Sequence, residues 1–182
     1  KVKVSTSQDS LDLINKYRDS DVFVKSVDGE CADKVYHIHN KMKDFVILSG
    51  NYIVQEKVVQ SDYMAEIYPD SVNTLRIVTY KVGDKIQVLS SGLRVGTSRS
   101  GSVDNWAAGG LYIPISNGRL TKFGFYKIQW AEKVTTHPNS NFEFSNKEIP
   151  FYDEAVQASI KAHNMIDNIA SIGWDVALYS EL

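Results

Sequence analysis

The chain has 182 residues, 43% hydrophobic and 23% charged, enough for one ordinary domain or one domain in two lobes, and too apolar for wholesale disorder. Lys plus Arg total 20 against 22 Asp plus Glu, a formal charge of -2 that gives no support for a dedicated nucleic-acid binder. A single cysteine, Cys31, excludes an internal disulfide framework and a Cys-rich zinc module, fits a reducing compartment, and has no His or acid partner in sequence to make it a nucleophile.

No apolar run reaches the length of a membrane span. The start, Lys1 to Thr6, has neither an initiator Met nor a signal-peptide core, and the end, Tyr179 to Leu182, follows an apolar run directly. We expect a piece cut from a longer protein at both ends.

In chain order, Asp9 or Ser10 caps a short helix carrying Leu11, Leu13, Ile14 and Tyr17. Val22 to Lys25 reads as a buried strand, followed by an Asp28-Gly29 turn. Val35 to His39 and Phe45 to Leu48 are two more strands, and Gly50-Asn51 breaks the chain. Tyr52 to Val59 is a strand ending in charge. Thr74 to Val82 and Ile86 to Val95 form a hairpin about Gly83-Asp84. A small, polar loop, Asp104 to Gly110, leads to a second hairpin, Leu111 to Ile115 and Arg119 to Phe123, about Asn117-Gly118. Glu132 to Lys147 is expected to be a long surface loop. A helix opened by Pro150 and Asp153 carries Ala155, Val156, Ile160, Ile166 and Ile169 and stops at Gly173. Trp174 to Leu178 is then a strand with one acid, Asp175. The expected class is α+β: a small mixed lobe over residues 1–57, and an antiparallel-sheet lobe with a packed helix over 58–182.

Five features could carry chemistry. Lys25 ends a strand beside a glycine turn, where an amine and backbone N–H groups can meet a phosphate; an exposed strand-end lysine is the plainer reading. Arg76 and Arg94 lie on the two arms of one hairpin and would clamp an anion if they shared a face. A two-residue loop sets Arg94 opposite Asn73 and turns Arg76 to the other face; a three-residue loop brings both to one face. Asp104-Asn105 before Ala107 to Gly110 offers oxygen ligands and a close backbone approach, or simply an Asx-capped turn. Asp175 needs a partner or metal if buried, and none if it points to water. His37 and His39 share one side of a strand, but no third ligand follows at a sensible spacing.

Taken in order, several of these segments resemble the ATP-grasp fold, above all its sugar-transfer associated family, also labelled hexapeptide-transferase-related. They are Asp21 to Gly29, Val54-Gln55-Glu56, Asn73-Thr74-Leu75-Arg76-Ile77-Val78-Thr79, Gly92 to Gly96, Val103 to Leu111, and Ile172 to Ala177. The resemblance implies ATP and Mg²⁺ as cofactors, held with two α+β lobes. It also implies an acyl-phosphate made from a carboxylate and then displaced by a nucleophile. Lys25 would contact the ATP phosphates, with Glu56 and Lys57 on the adenine and ribose side. Arg94, assisted by Arg76, would steady the transferred phosphate; Asn105 would lie near it; Asp175 would be a Mg²⁺ ligand. The family's further metal ligands, a Glu and an Asn, lie on a strand after the one holding Asp175, which the given chain does not reach. The family label suggests work in surface-polysaccharide or cell-envelope biosynthesis, in the cytoplasm, with sugar-transfer enzymes as associates. In the loop after Lys25, Ser26 replaces a proline, and Glu30 to Lys34 stand where glycines are expected. That departure favours an alternative, a degenerate, non-catalytic module that binds a ligand or partner. A third reading, a nucleotidyltransferase adenylated on Lys25, meets a spacing to Asp28-Gly29 that is one residue too long.

Overall fold

A computed structural model describes residues 3–5, 21–27, 35–38, 52–127 and 132–179. The chain divides into two compact units, Lys1–Val58 and Val59–Leu182.

The first unit holds a four-stranded antiparallel sheet of β1 (Lys3–Ser5), β2 (Val22–Ser26), β3 (Val35–Ile38) and β4 (Tyr52–Glu56), in the order β1-β4-β2-β3. Val22, Val24 and Val54 are buried, the alternation expected of a strand with one covered face. The strand expected from Tyr52 to Val59 ends at Glu56. The helix expected over Leu11 to Tyr17, the Asp28-Gly29 turn, the strand over Phe45 to Leu48 and the Gly50-Asn51 break all lie outside the described residues.

The second unit is built on a larger sheet. Its frame is the hairpin of β5 (Thr74–Val82) and β6 (Lys85–Val95). Gly83 takes the left-handed φ of 59° that a two-residue hairpin turn asks of its first residue. Next to β6 lies β7 (Leu111–Ser116), which turns through Asn117 and Gly118 into the two-residue β8 (Arg119–Leu120). The short β9 (Gly124–Phe125) and β10 (Lys133–Val134) extend that side, and β11 (Ser171–Ala177) pairs with β5 on the other. All these pairings are antiparallel.

Alternation then sorts the residues. Leu75, Ile77, Leu93, Val95, Leu111 and Ile113 are fully buried on one face. Against it pack α1 (Asp62–Ile67), through Met64 and Ile67, and α2 (Tyr152–His163), through Ala155. Two polar links stitch α2 to the sheet: Tyr152 Oη to Ser91 Oγ at 2.7 Å and His163 Nδ1 to Thr79 Oγ1 at 2.7 Å.

Two expectations need correction. The helix ends at His163, leaving Ile166 and Ile169 exposed, and Gly173 lies inside β11 rather than at a helix end. Apolar spacing ran on beyond the helix, whereas Asn168, at a φ of 61°, turns the chain back towards the sheet. Residues 132–147 are not a surface loop throughout: they supply β10 and two fully buried side chains, His137 and Phe144. Composition concealed this because most neighbours of those two residues are polar and exposed.

Candidate functional site

The second face of the larger sheet is polar. Thr74 and Arg76 on β5, Gly92 and Arg94 on β6, Tyr112 and Pro114 on β7, and Asp175 on β11 occupy it, in two adjacent cross-strand rows. One row runs Asp175, Arg76, Gly92, Pro114; its neighbour runs Ala177, Thr74, Arg94, Tyr112.

The two arginines share this face because of a bulge. The turn pairs Val82 with Lys85 and the ladder continues to Thr79 with Val88, but Val78 pairs with Ser90. Leu89 is the extra residue, 68% exposed. Beyond it the register has moved by one, so Arg94 stands opposite Thr74 rather than Asn73. The loop has two residues, yet the arginines converge.

They meet on Asp175. Arg76 Nε lies 3.1 Å from Asp175 Oδ1, and Arg94 Nη1 donates at 3.0 Å to both carboxylate oxygens. Arg94 is the deeper, its side chain 13% exposed, and its Nη2 also reaches Asp104 Oδ1 at 3.4 Å. Asp104 in turn accepts from the Thr74 hydroxyl. Burial pushes the Asp104 carboxyl above the usual carboxylate range, against the pull of Arg94 and the Thr74 hydroxyl.

Two glycines make the floor. A Cβ at Gly92 would come within 2.2 Å of the Tyr112 ring, and one at Gly173 within 2.8 Å of Arg76 Nη1. Tyr112 and Arg76 therefore lie down against bare backbone.

Asn105 acts on its own loop. Its Oδ1 accepts from Ala107 N at 2.7 Å and caps the single turn of 3-10 helix at Trp106–Ala108. The Asx-turn reading describes the local geometry of this loop.

The motif Asn73-Thr74-Leu75-Arg76 resolves into four roles. Asn73 is fully buried; its Nδ2 donates to the carbonyls of Met64 (2.8 Å) and Tyr68 (2.9 Å), and its Oδ1 accepts from Gly96 N at 3.3 Å. Thr74 holds Asp104, Leu75 enters the core, and Arg76 reaches Asp175. His137 secures the same strand end: its Nε2 lies 2.8 Å from the Gly96 carbonyl and its Nδ1 accepts from the N–H groups of Asn139 and Ser140 at 3.3 Å. That pattern needs a neutral ring with the proton on Nε2, and burial lowers its pKa accordingly.

In the first unit, Lys25 Nζ donates to Gln55 Oε1 at 2.9 Å, Glu56 is exposed, and Lys57 pairs with Asp21 at 3.2 Å. Cys31 and His39 lie outside the described residues, as does the side chain of His37.

Magnesium is poorly served by the described donors. No three His, Cys, Asp or Glu side chains gather among the described residues. Both oxygens of Asp175 are occupied by Arg94, with Arg76 on one of them, and a dication there would sit beside two guanidiniums. The described residues do not fit the ion.

Thr74, Gly92 and Tyr112 were not found from the sequence as site residues. Register held the signal: Leu75 and Ile77 can share a face with Leu93 and Val95 only if the ladder carries an odd offset.

A family model described as sugar-transfer associated ATP-grasp matches residues 9–182. No curated protein and no solved structure matches the chain. Among the described residues no helix is long and apolar enough to cross a membrane.

Proposed function

The chain belongs to the sugar-transfer associated ATP-grasp family, and from that membership we propose that it serves an ATP-dependent ligase-like reaction that activates a carboxylate as an acyl-phosphate. The observation that supports this reading best is the convergence of Arg76 and Arg94 on one exposed carboxylate, Asp175. Two guanidiniums held on one sheet face are a preorganised receptor for a phosphoryl group and the charge that grows on it.

In the proposed reaction a carboxylate oxygen attacks the terminal phosphorus of ATP, the bond to the bridging oxygen breaks, and ADP leaves. A nucleophile such as an amine then attacks the acyl carbon, loses its proton, and phosphate departs. Arg94, the more buried guanidinium, would neutralise the transferred phosphoryl; Arg76 would share that load; Asn105 would shape the loop beside them. Lys25 would meet the nucleotide phosphates, and Glu56 with Lys57 the adenine and ribose side. No step is assigned to a metal at Asp175. The proposed setting is cytoplasmic surface-polysaccharide or cell-envelope synthesis beside sugar-transfer enzymes.

One observation favours a second reading. Asp175 already balances both arginines, which suits a binding module that holds a ligand without turnover.

Calorimetry with ATP, with and without Mg²⁺, tests the first step. Binding that falls at least tenfold in Arg94→Ala and in Lys25→Ala supports the ATP site, and hydroxamate formation from added carboxylates and hydroxylamine supports the acyl-phosphate. Binding without any hydroxamate or ADP release would leave the second reading standing. No binding by the wild-type chain would remove the ATP reading for this chain.

A further inference from the structure

The polar face has an aromatic half that the proposed phosphoryl chemistry leaves unused. Tyr112 sits beside Arg94 in the cross-strand row, and Phe125 pairs with Tyr112 on the far side. In an antiparallel pair those two side chains share a face. Trp106 completes the group: its ring centroid lies 6.4 Å from that of Tyr112, tilted by 52°, and its Nε1 donates to the Phe125 carbonyl at 2.9 Å. Phe125 is 38% exposed, a large apolar side chain left open to solvent on the arginine face.

Gly92 explains how the Tyr112 ring is laid down. It stands directly between Arg76 and Pro114 in the ladder, and its missing side chain leaves the space that the phenol end of Tyr112 fills. Any larger residue would lift the ring off the strand. The phenol is thereby drawn towards Arg76, whose charge opposes the upward push of burial on its pKa. A ring pressed onto backbone on one side can stack a ligand only on its other side.

We propose that Tyr112, with Trp106 and Phe125, forms a ring-binding subsite beside the arginine pair, and that its occupant is an organic anion whose charged end meets Arg76 and Arg94 while a ring with a flat apolar face lies on Tyr112. The charge and the apolar surface stand side by side on one sheet face, and a ligand that is only an anion leaves half of it unfilled. This inference rests on the reading of Arg76 and Arg94 as the receptor of an anionic group, and it adds what that anion is attached to.

The test compares ligands of equal charge: methyl phosphate, phenyl phosphate and a hexose phosphate, each titrated into the full chain by calorimetry. The expected result is that phenyl phosphate, the hexose phosphate or both bind about threefold to tenfold tighter than methyl phosphate. Which of the two gains identifies an aromatic or a sugar ring. That preference should vanish in Tyr112→Ala and in Gly92→Ala, and persist in Tyr112→Phe, which keeps the ring. Thermal unfolding of each variant shows that it is folded, and Gly92→Ala alone carries the test if Tyr112→Ala is not. Methyl phosphate binding with no preference for either ring in the wild type, or a preference that survives both Tyr112→Ala and Gly92→Ala, overturns the subsite alone. Absence of binding by any of the three phosphates overturns the arginine receptor and the subsite together.

Discussion

The two halves of the β5–β6 hairpin obey different masters. From the turn to Thr79 and Val88 the register is the one that Gly83-Asp84 imposes, and the residues are mostly exposed. From Val78 and Ser90 to Thr74 and Arg94 the register is set by burial: Leu75, Ile77, Leu93 and Val95 must all enter one core. Continued unbroken, the turn's register would place Arg94 on the face of Leu75 and send Leu93 to the other side. The two demands differ by one residue, and Leu89 absorbs the difference. Outside the core a bulge costs little. Inside it, the shift determines whether an anion receptor exists.

The widest break in that comparison comes from inserting one alanine between Gly92 and Leu93, inside the core half. Leu93 and Val95 would then turn out of the core and Arg94 into it. We expect a loss of more than about 4 kcal/mol in urea unfolding, together with loss of phosphate binding. Deleting Leu89 does the reverse: one unbroken register then serves the turn and the core, Arg94 stays opposite Thr74, and phosphate binding should be retained. Leu89→Ala, by contrast, keeps the residue count and should stay within about 0.5 kcal/mol of wild type.

Next in size is the pin at the core end. Asn73 ties the start of β5 to α1 and to Gly96, beyond the end of β6. Asn73→Ala takes the acceptor of the Gly96 N–H and one of two donors from each of the Met64 and Tyr68 carbonyls, and should cost about 2–3 kcal/mol by the same unfolding measurement.

Arg94→Ala separates charge from register. It leaves the ladder intact but strips Asp104, whose side chain is 15% exposed, of its cation. We expect about 2 kcal/mol of lost stability and the loss of anion binding. Arg76→Ala removes a guanidinium that is 34% exposed against a carboxylate 44% exposed, and should cost less than about 1 kcal/mol while still weakening the anion. If the two variants cost the same stability, the difference in burial is not what distinguishes them.

The smallest effect is one of pH. Burial holds the His137 pKa below its ordinary value, so the unfolded chain takes up the proton first as pH falls. Its contribution to stability is present above the unfolded value, about 6.5, and is lost as pH falls from there through the lower folded value. The expected slope is at most about 1.4 kcal/mol per pH unit. His137→Gln should flatten that part of a pH-dependent unfolding curve, and an unchanged slope would place the titration elsewhere.

Much of this architecture was legible in the residues. The alternation of Thr74 to Val82, the turn chemistry of Gly83-Asp84 and Asn117-Gly118, and the apolar run Val22 to Val24 each act over a few neighbours, where sequence is sufficient. Failures occurred where a distant partner decides. Ile166 and Ile169 continue a helical spacing in a segment that no longer packs on the sheet. His137 and Phe144 are buried among polar neighbours because Gly96 and the core reach them from elsewhere. Arg76, Arg94, Asn105 and Asp175 could be singled out by type and order, together with the family that their order resembles. Their meeting could not.

By itself, then, the sequence determined the α+β class, the strands of the hairpin frame and the identity of the charged groups, since each follows from local propensity and period. The tertiary structure alone decided that two arginines from opposite arms and an acid 81 residues beyond Arg94 stand in contact, with Tyr112 lying on Gly92 beside them. Side-chain period in a strand is two, so a single bulged residue exchanges the faces, and only the burial of a shared core sets where that residue goes.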